Sequence, residues 1–451
     1  MQLVLNVKDY GAKGDGVTLD TRAILDAIGA CNNGVVYFPE GRYLTGTIFL
    51  KSGVTLYLSK QAVVLGSTDL ADYEGDYTGC IEAPTFDKCL LFAEGQTGIE
   101  ITGGGEIYGQ GDHFPQEDEN QERGERPMLM RFVNCSDIKL HDIKIGGSGS
   151  WCCHMIDCNQ VSIRGVNLYN HVNQNNDGFD LDDCSDVFIS DTKIDSIDDS
   201  ICLKSTTSQP CRNIVVTNCV ISSETAAVKF GTSSKAGFTD ITISNCVFHD
   251  CLMGTIKLLM VDGGILENIN ISNIMMNRVG SPLFIRLGQR GLNYDKPAEM
   301  DFWGKGKENE EAPGRIRNIM ISNIQANVTL PEKERTPMML TGLPGYNIEN
   351  ITLNNFSVTY PGGGTAEDAA RQVDEDPARY PEQWFFGILP TYGLYLRHAE
   401  NVKLRDVYFY LAGKDERPAM VCEDVETLNI DGGNIKKGCV TELIEDKRTT
   451  A

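Results

Sequence analysis

The residues with most chemical potential lie in one stretch, "NNDGFDLDDCSDVFISDTKIDSIDDSICLKS", residues 175–205, which holds nine aspartates in 31 residues. A run of like charge is usually a disordered tail. Here the acids alternate with Phe179, Leu181, Val187, Phe188, Ile189, Ile194, Ile197, Ile201 and Leu203, so the stretch reads as folded. Asp side chains often serve as turn residues, satisfying backbone N–H groups at strand ends. That is the reading for Asp183, Asp186, Asp191 and Asp195. Asp177 and the adjacent pair Asp198 and Asp199 differ. Closely placed carboxyls repel and raise one another's pKa. One protonated and one ionised carboxyl can hydrolyse a glycosidic bond, the first protonating the leaving oxygen and the second activating water.

The elements that must position these acids form an internal repeat. "CSDIKLHDIKI", "CNQVSIRGVNL", "CSDVFISDTKI" and "CRNIVVTNCVI" share a pattern that "FTDITISNCVF", "LENINISNIMM", "IRNIMISNIQA", "IENITLNNFSV" and "AENVKLRDVYF" continue without the first Cys. Its anchors Ile138, Val161, Val187, Ile214, Ile241 and Ile269 are 23, 26, 27, 27 and 28 residues apart, with later anchors at Ile319, Ile351 and Val402. Each unit is a short alternating strand bounded by Asn, Asp, Ser and Gly. One unit cannot bury its apolar side, but stacked units can. The leucine consensus of leucine-rich repeats is absent. The expectation is an all-β fold, a right-handed parallel β-helix with about three strands per coil, the handedness following the crossover rule. "TRAILDAIGAC" (21–31) spaces Ile24, Leu25, Ile28 and Cys31 helically, with Asp20 as N-cap, and is expected as a short capping helix over one end of the solenoid.

The whole chain, 1–451, is expected to form one β-helix domain, with the cap and first coils in about 1–60. Polar, turn-rich insertions are expected at about 292–314 and 361–383, where they could wall a binding site. Trp303 and Trp384, in or beside these insertions, could stack on a sugar ring. On the repeat phase, Asp177, Lys204, Lys229, Lys257 and Arg286 recur at nearly one position, which suggests an acidic centre flanked by a basic strip.

Composition narrows the partners. The 63 acids outnumber 40 Lys and Arg, giving a net charge of -23. That argues against nucleic acid and against an anionic membrane surface, while leaving an anionic sugar possible through a local cluster of cations. "MQLVLNVKDYGAKGDG" shows no basic segment followed by an apolar one, and no apolar run approaches membrane-spanning length, so the cytoplasm is the expected location. The 15 cysteines should then be thiols. Cys135, Cys158, Cys184 and Cys211 each precede an anchor by three residues, and Cys219 and Cys246 each follow one by five. Both sets fit internal ladders of small apolar groups. That explanation takes Cys158 out of "WCCHMIDC", which otherwise hints at zinc.

At these residues the chain resembles glycoside hydrolase family 28, the polygalacturonases and rhamnogalacturonan hydrolases. "NVKDYGAKGDGVTLDTRAILDAI" and "VVYFPEGRYLTGTIFLKSGVTLYL" resemble an opening shared by many pectin-acting β-helices. The specific signal is "NNDGFD" with "IDDSICLKS", similar to the family's Asn-X-Asp and Asp-Asp motifs and separated here by 21 residues from Asp177 to Asp198. "AVKFGTSS", "TIKLLMVDGG", "FIRLGQRG" and "FFGILPTYGLYLRH" resemble a bacterial branch that is often exo-acting. The resemblance implies an inverting hydrolase of galacturonic-acid-containing oligosaccharides, with no metal or other cofactor. Asp198 would be the general acid, Asp177 and Asp199 would hold and deprotonate water, and Asn175 would position the site. Two motifs depart from the family. Its Gly-His-Gly is Thr225-Ala226-Ala227 here, and its Arg-Ile-Lys is Thr255-Ile256-Lys257. Lys257 keeps the implied role of gripping a sugar carboxylate. Lys229 and Glu224 either replace the lost groups or are solvated loop charges. Arg286 and Tyr392 are further binding candidates, the latter within a block with Tyr395, Arg397 and His398, and His171 either lines the cleft or is structural. A pectate-lyase-like enzyme using Ca²⁺ and a non-catalytic carbohydrate-binding solenoid are the other readings, because fold does not fix function.

Overall fold

The structure is a computed structural model that describes residues 3–75, 88–116, 125–290, 312–329, 336–435 and 440–443. It is a right-handed parallel β-helix. The chain divides into two compact units, Met1–Leu203 with Cys211–Ser223, and Lys204–Pro210 with Glu224–Ala451. The expected insertion at 292–314, with Trp303, falls almost wholly outside the described residues.

In the first unit three parallel stacks of short strands run through successive coils. One stack aligns Val36, Leu56, Ile101, Leu140, Ile163, Ile189 and Val216 in register. All of these side chains are buried. The anchors Ile138, Val161, Val187 and Ile214 form the parallel row two residues earlier. A second stack aligns Val64, Ile107, Ile145, Leu168, Ile194 and Ile221. The third aligns Leu91, Met130, Cys153 and Phe179. A period-2 pattern sends alternate residues inward, and stacking like on like closes one continuous core. Each buried aliphatic side chain contributes about 1.5–3 kcal/mol of transfer free energy.

In the second unit longer strands carry the same pattern. Ile265–Val279 buries Leu266, Ile269, Ile271, Ile274, Met276 and Val279, the alternation being interrupted at the positive-φ residues Asn268, Asn273 and Arg278. The anchors Ile241, Ile269, Ile319 and Ile351 align there in register.

Bends are marked by Asn and Asp in the left-handed region, between strands at Asp191 and within strands at Asp186, Asn268, Asn318 and Asn350. Asp186 and Asp191 have φ of 56° and 54°, and Asn268, Asn318 and Asn350 lie near 57°. Their side chains form ladders: Asn318 Nδ2 donates to Asn268 Oδ1 at 3.3 Å, and Asn350 Nδ2 to Asn318 Oδ1 at 3.0 Å. Asn and Asp tolerate positive φ better than other side-chain-bearing residues, so a recurring Asn or Asp sets most of the bends, with Gly98, Gly103, Gln160 and Gly165 taking positive φ in earlier coils. The turn reading of Asp183, Asp186 and Asp191 agrees with their positive φ. Asp195 departs from it. It lies in the strand Lys193–Ser196 and accepts bonds from His171 (2.8 Å) and Ser222 (2.6 Å). The His171 contact is the main reason its carboxyl sits below the usual range.

The expected helix forms at Thr21–Ala30, burying Ile24, Ala27 and Ile28. Asp20 does not cap it through its side chain. Its carboxylate instead accepts from the backbone N–H of Lys13 and Gly14 at 2.7 and 2.9 Å, tying down the preceding turn. The thirteen cysteines among the described residues are all buried and in no disulfide. Burial pushes the Cys152 and Cys153 thiols up, disfavouring the thiolate that metal binding or nucleophilic attack requires.

Candidate active site

Two turns of the first unit bring the three singled-out carboxylates together. One joins the strands Asn167–Asn170 and Phe179–Asp182, and the other joins Lys193–Ser196 and Ile201–Ser205. The turns are laced by backbone bonds: Asp198 N donates to Asn176 O (3.1 Å), and Gly178 N to Asp199 O (3.0 Å). Residue 178 must be glycine, because a Cβ there would collide with the backbone oxygen of Ser200. One carboxylate oxygen from each of Asp177, Asp198 and Asp199 lies within 4.8 Å of the others. Asp177 and Asp199 are each only 3% exposed, and Asp198 is half-buried.

Buried amides fix the first turn. Asn176 Oδ1 accepts from the N–H of Val172 (2.9 Å) and Asn173 (2.8 Å), while its Nδ2 donates to Ser148 O and Ser150 O, both at 2.9 Å. Asn170 Nδ2 donates to Asp177 O at 2.9 Å. Asn173 Nδ2 donates to Gly111 O at 2.9 Å. Asn175, at φ 53°, points its Nδ2 at Asp198 Oδ2, 3.4 Å away. In the second turn Asp198 Oδ1 accepts from the N–H of Asp199 at 2.9 Å, and Asp198 O accepts from Ser196 Oγ and Ser223 Oγ at 2.7 and 2.8 Å. Such preorganisation holds the acids in place although they repel.

The second unit holds the cations. Lys229 and Lys257 face each other in register on neighbouring strands. Arg286 is not on that row. Lys257 pairs with Phe284, and Arg286 pairs with Leu259 and, on its other side, with Thr341, which pairs with Arg397. The single basic strip expected from repeat phase is therefore two rows, because coil length varies and shifts the phase by two residues.

The segment around the insertion at 361–383 folds onto both rows. Glu382 Oε2 takes Lys257 Nζ at 2.6 Å, and its Oε1 lies 3.8 Å from Lys229 Nζ. Lys257 is 1% and Glu382 4% exposed. The Trp384 ring centroid lies 5.6 Å from Lys257 Nζ, and the Tyr380 ring 5.8 Å from Lys229 Nζ, both within cation–π range. On the other row, Arg286 donates to Glu375 O (2.6 Å) and Thr341 Oγ1 (3.1 Å), and Arg397 donates to Val373 O (2.7 Å) and Asp374 O (3.0 Å). Burial first, then the charge of Arg397, brings the Arg286 guanidinium down to about 10. His398 donates through both ring nitrogens, to Glu375 (2.9 Å) and Asp424 (2.6 Å), an arrangement of the protonated ring. Burial alone would lower its pKa, but the two carboxylates outweigh that and raise it.

Of the remaining candidates, Glu224 is exposed just before the strand Ala226–Ser234, and the Tyr392 ring packs against Tyr360, 6.1 Å between centroids. His171 stacks on Tyr169 and pairs with Asp195. Arg126, Asn173, Asn176 and Glu382 were not legible as site residues. The two buried asparagines stand within the "NQNND" run beside Asp177, a hint that spacing alone could not rank. Nothing in the repeat points to Arg126 or Glu382.

The comparisons give the family and the fold. The chain belongs to the glycosyl hydrolases family 28, whose model matches residues 58–375, while a model described as rhamnogalacturonase A/epimerase, pectate lyase-like, matches residues 4–58. A probable polygalacturonase of Vitis vinifera is 29% identical over 292 residues, which are 59% of this chain and 60% of the relative. The chain spans less than two thirds of the length of the first curated relatives that it matches. Two solved structures share the fold. A family 28 exopolygalacturonase of Yersinia enterocolitica has a TM-score of 0.72 at 17% identity, covering 96% of this chain and 79% of that one. An exopolygalacturonase of Thermotoga maritima has a TM-score of 0.69 at 19% identity, covering 91% and 92%.

Proposed function

We propose that this chain hydrolyses pectic oligosaccharides containing galacturonic acid, of polygalacturonan or rhamnogalacturonan type, in an exo-acting and inverting manner. The observation that carries the reading is the group of three carboxylate oxygens within 4.8 Å. Mutual repulsion in such a group favours keeping one carboxyl protonated as an acid while another stays ionised as a base. Asp198, the most exposed of the three, is the general acid toward the leaving oxygen. Asp177 and Asp199, more deeply set, hold and deprotonate water. Membership of family 28 and the polygalacturonase names of its relatives support the substrate class.

The test is product analysis on defined oligogalacturonides and rhamnogalacturonan oligosaccharides, with Asp198→Asn as control. A monosaccharide released by the wild type and not by the variant supports the reading. No turnover of any pectic substrate by the folded wild type removes it. Stereochemistry needs its own readout, since carboxyl separations of about 5–5.5 Å usually accompany retention and about 6.5–9.5 Å inversion. Proton NMR of the first product anomer decides it.

A second reading follows from the same oxygens, which are close enough to share a divalent cation. A lyase would then use Ca²⁺ held by these carboxylates. It predicts activity lost to a chelator and an unsaturated product absorbing in the ultraviolet.

A further inference from the structure

Arg126 is 1% exposed, and its guanidinium lies beside the turn that carries Asp177. It donates to that turn through both terminal nitrogens. Nη1 donates to Gln174 O at 2.7 Å and to Asn173 Oδ1 at 3.0 Å, and Nη2 donates to Asn175 Oδ1 at 2.9 Å. The arginine is itself fixed, with Ser150 Oγ donating to Arg126 O and Gly149 N to Pro127 O.

We propose that Arg126 is a positioning residue for the acid cluster: it sets the orientation of the Asn175 amide so that its NH₂ faces Asp198. An arginine has only donors, so the Asn175 atom that it meets must be the oxygen. The opposite end of that amide, Nδ2, then faces Asp198 Oδ2 at 3.4 Å. The flipped amide would set donor against donor at Arg126 and oxygen against carboxylate oxygen at Asp198, two repulsions in place of two attractions. The 3.4 Å contact is long, as catalytic hydrogen bonds often are before substrate binds. The same fork holds the backbone of residue 174, so the left-handed conformation of Asn175 and the aim of its side chain are fixed together. A lysine offers one compact charge on a flexible stem and cannot hold three acceptors in one plane.

The activity arm of the test rests on the hydrolytic reading, and a substrate-free arm does not. In the first, kcat and KM are measured for Arg126→Lys, Asn175→Leu and the double variant. Arg126→Lys should lower kcat roughly tenfold to a hundredfold with KM changed less than about threefold, the size of effect that misplacing a reacting group produces. In the Asn175→Leu background it should add little, because both changes remove one relay. In the second arm, the carboxyl carbon of Asp198 is titrated by ¹³C NMR without substrate, assigned with Asp198→Asn. Loss of the Asn175 donor removes support for the charged carboxylate, so the titration should move upward in both single variants. Asp177 and Asp199 stay in place and repel it equally in each. An unchanged Asp198 titration, or Arg126 and Asn175 effects that multiply, overturns the proposal. If Arg126→Lys does not fold, Arg126→Met, which fills the buried site without a charge, takes its place in the titration with the same two outcomes. A wild type without pectic activity would sink the hydrolytic reading and leave the NMR arm standing.

Discussion

In the first unit the acids stand in turns of the repeat itself, where each coil offers its loop to the loop of the next. In the second unit the cations stand on strands, and their counter-charge comes from a segment far along the chain: Lys257 and Glu382 are 125 residues apart. The acidic cluster is assembled by local, register-bound geometry. The basic cluster is assembled by a fold-back that the repeat does not encode. Substitutions should therefore act differently in the two places, through chemistry in the first and through packing and charge compensation in the second.

The largest effect is expected at Asp198. Asp198→Asn keeps the shape and the acceptor for Asp199 N–H but removes the acid, and should lower kcat about 10²–10⁴-fold with thermal stability unchanged or raised, since a repelling charge is gone. Steady-state kinetics beside calorimetry check both halves. An Asn variant that lost stability and kept its rate would show the acids to be structural, and the contrast between the units would disappear.

Glu382 should show the opposite profile. Removing one partner of a buried ion pair strands the other charge and costs about 3–5 kcal/mol. Glu382→Ala should therefore unfold at markedly lower denaturant concentration. The triple variant Glu382→Leu with Lys257→Met and Lys229→Met should recover most of the loss, because it removes both buried lysines along with the carboxylate that they face. Recovery in urea titrations would mark the pair as a fastener for the segment. Failure to recover would mean that the carboxylate has partners beyond the two lysines.

These two clusters also mark how far sequence alone reaches. The fold was legible because the β-helix repeats its instruction on every coil, in the buried rows through Leu140, Ile163 and Ile189 and in the Asn and Asp bends. The three acids were singled out by the adjacency of Asp198 and Asp199 and by the family motifs, and the structure brings one oxygen of each within 4.8 Å of the others. Arg286 was misplaced because phase counted from an anchor drifts when a coil changes length, and two residues separate its row from that of Lys257. Glu382 and Arg126 were invisible because their partners are set by tertiary approach, which no local period records. Asp20 stands at the N-cap as its type and place suggest, but its side chain makes no capping bond because the preceding turn took the carboxylate.

The clamp at His398 should make the second unit pH-sensitive on both sides. His398 is raised above its ordinary value of 6.5 by Glu375 and Asp424, against the opposing effects of burial and Arg397. Its contribution is complete below about pH 6.5 and is lost as pH rises through the higher folded value. Glu375 would be raised by burial, but its bond with His398 and the charge of Arg397 lower it overall from 4.5. Its contribution is complete above about pH 4.5 and is lost as pH falls through the lower folded value. The segment near Glu375 should accordingly exchange its amide hydrogens most slowly, after correction for intrinsic rate, between about pH 4.5 and 6.5. His398→Gln should abolish the alkaline loss while leaving the first unit's exchange unchanged. Equal pH dependence in that variant would place the titrating group elsewhere.

The smallest effect is expected in the bends, where both units use one device. Asn323 has φ of 56°, accepts from Asn355 and donates to Asn273 at 2.9 Å. Asn323→Ala forces a Cβ-bearing residue without a compensating amide into the left-handed region, at about 1–2 kcal/mol, and breaks two exposed bonds worth little in water. Asn323→Gly keeps the conformation and loses only the ladder. The difference between the two variants isolates the backbone term from the ladder term. If Asp191, at φ 54° in the first unit, gives the same Ala-minus-Gly difference, the bends follow one rule although the functional clusters do not. A loss from Gly as large as that from Ala at either position would mean that the side-chain ladder, rather than backbone conformation, is what selects Asn and Asp there.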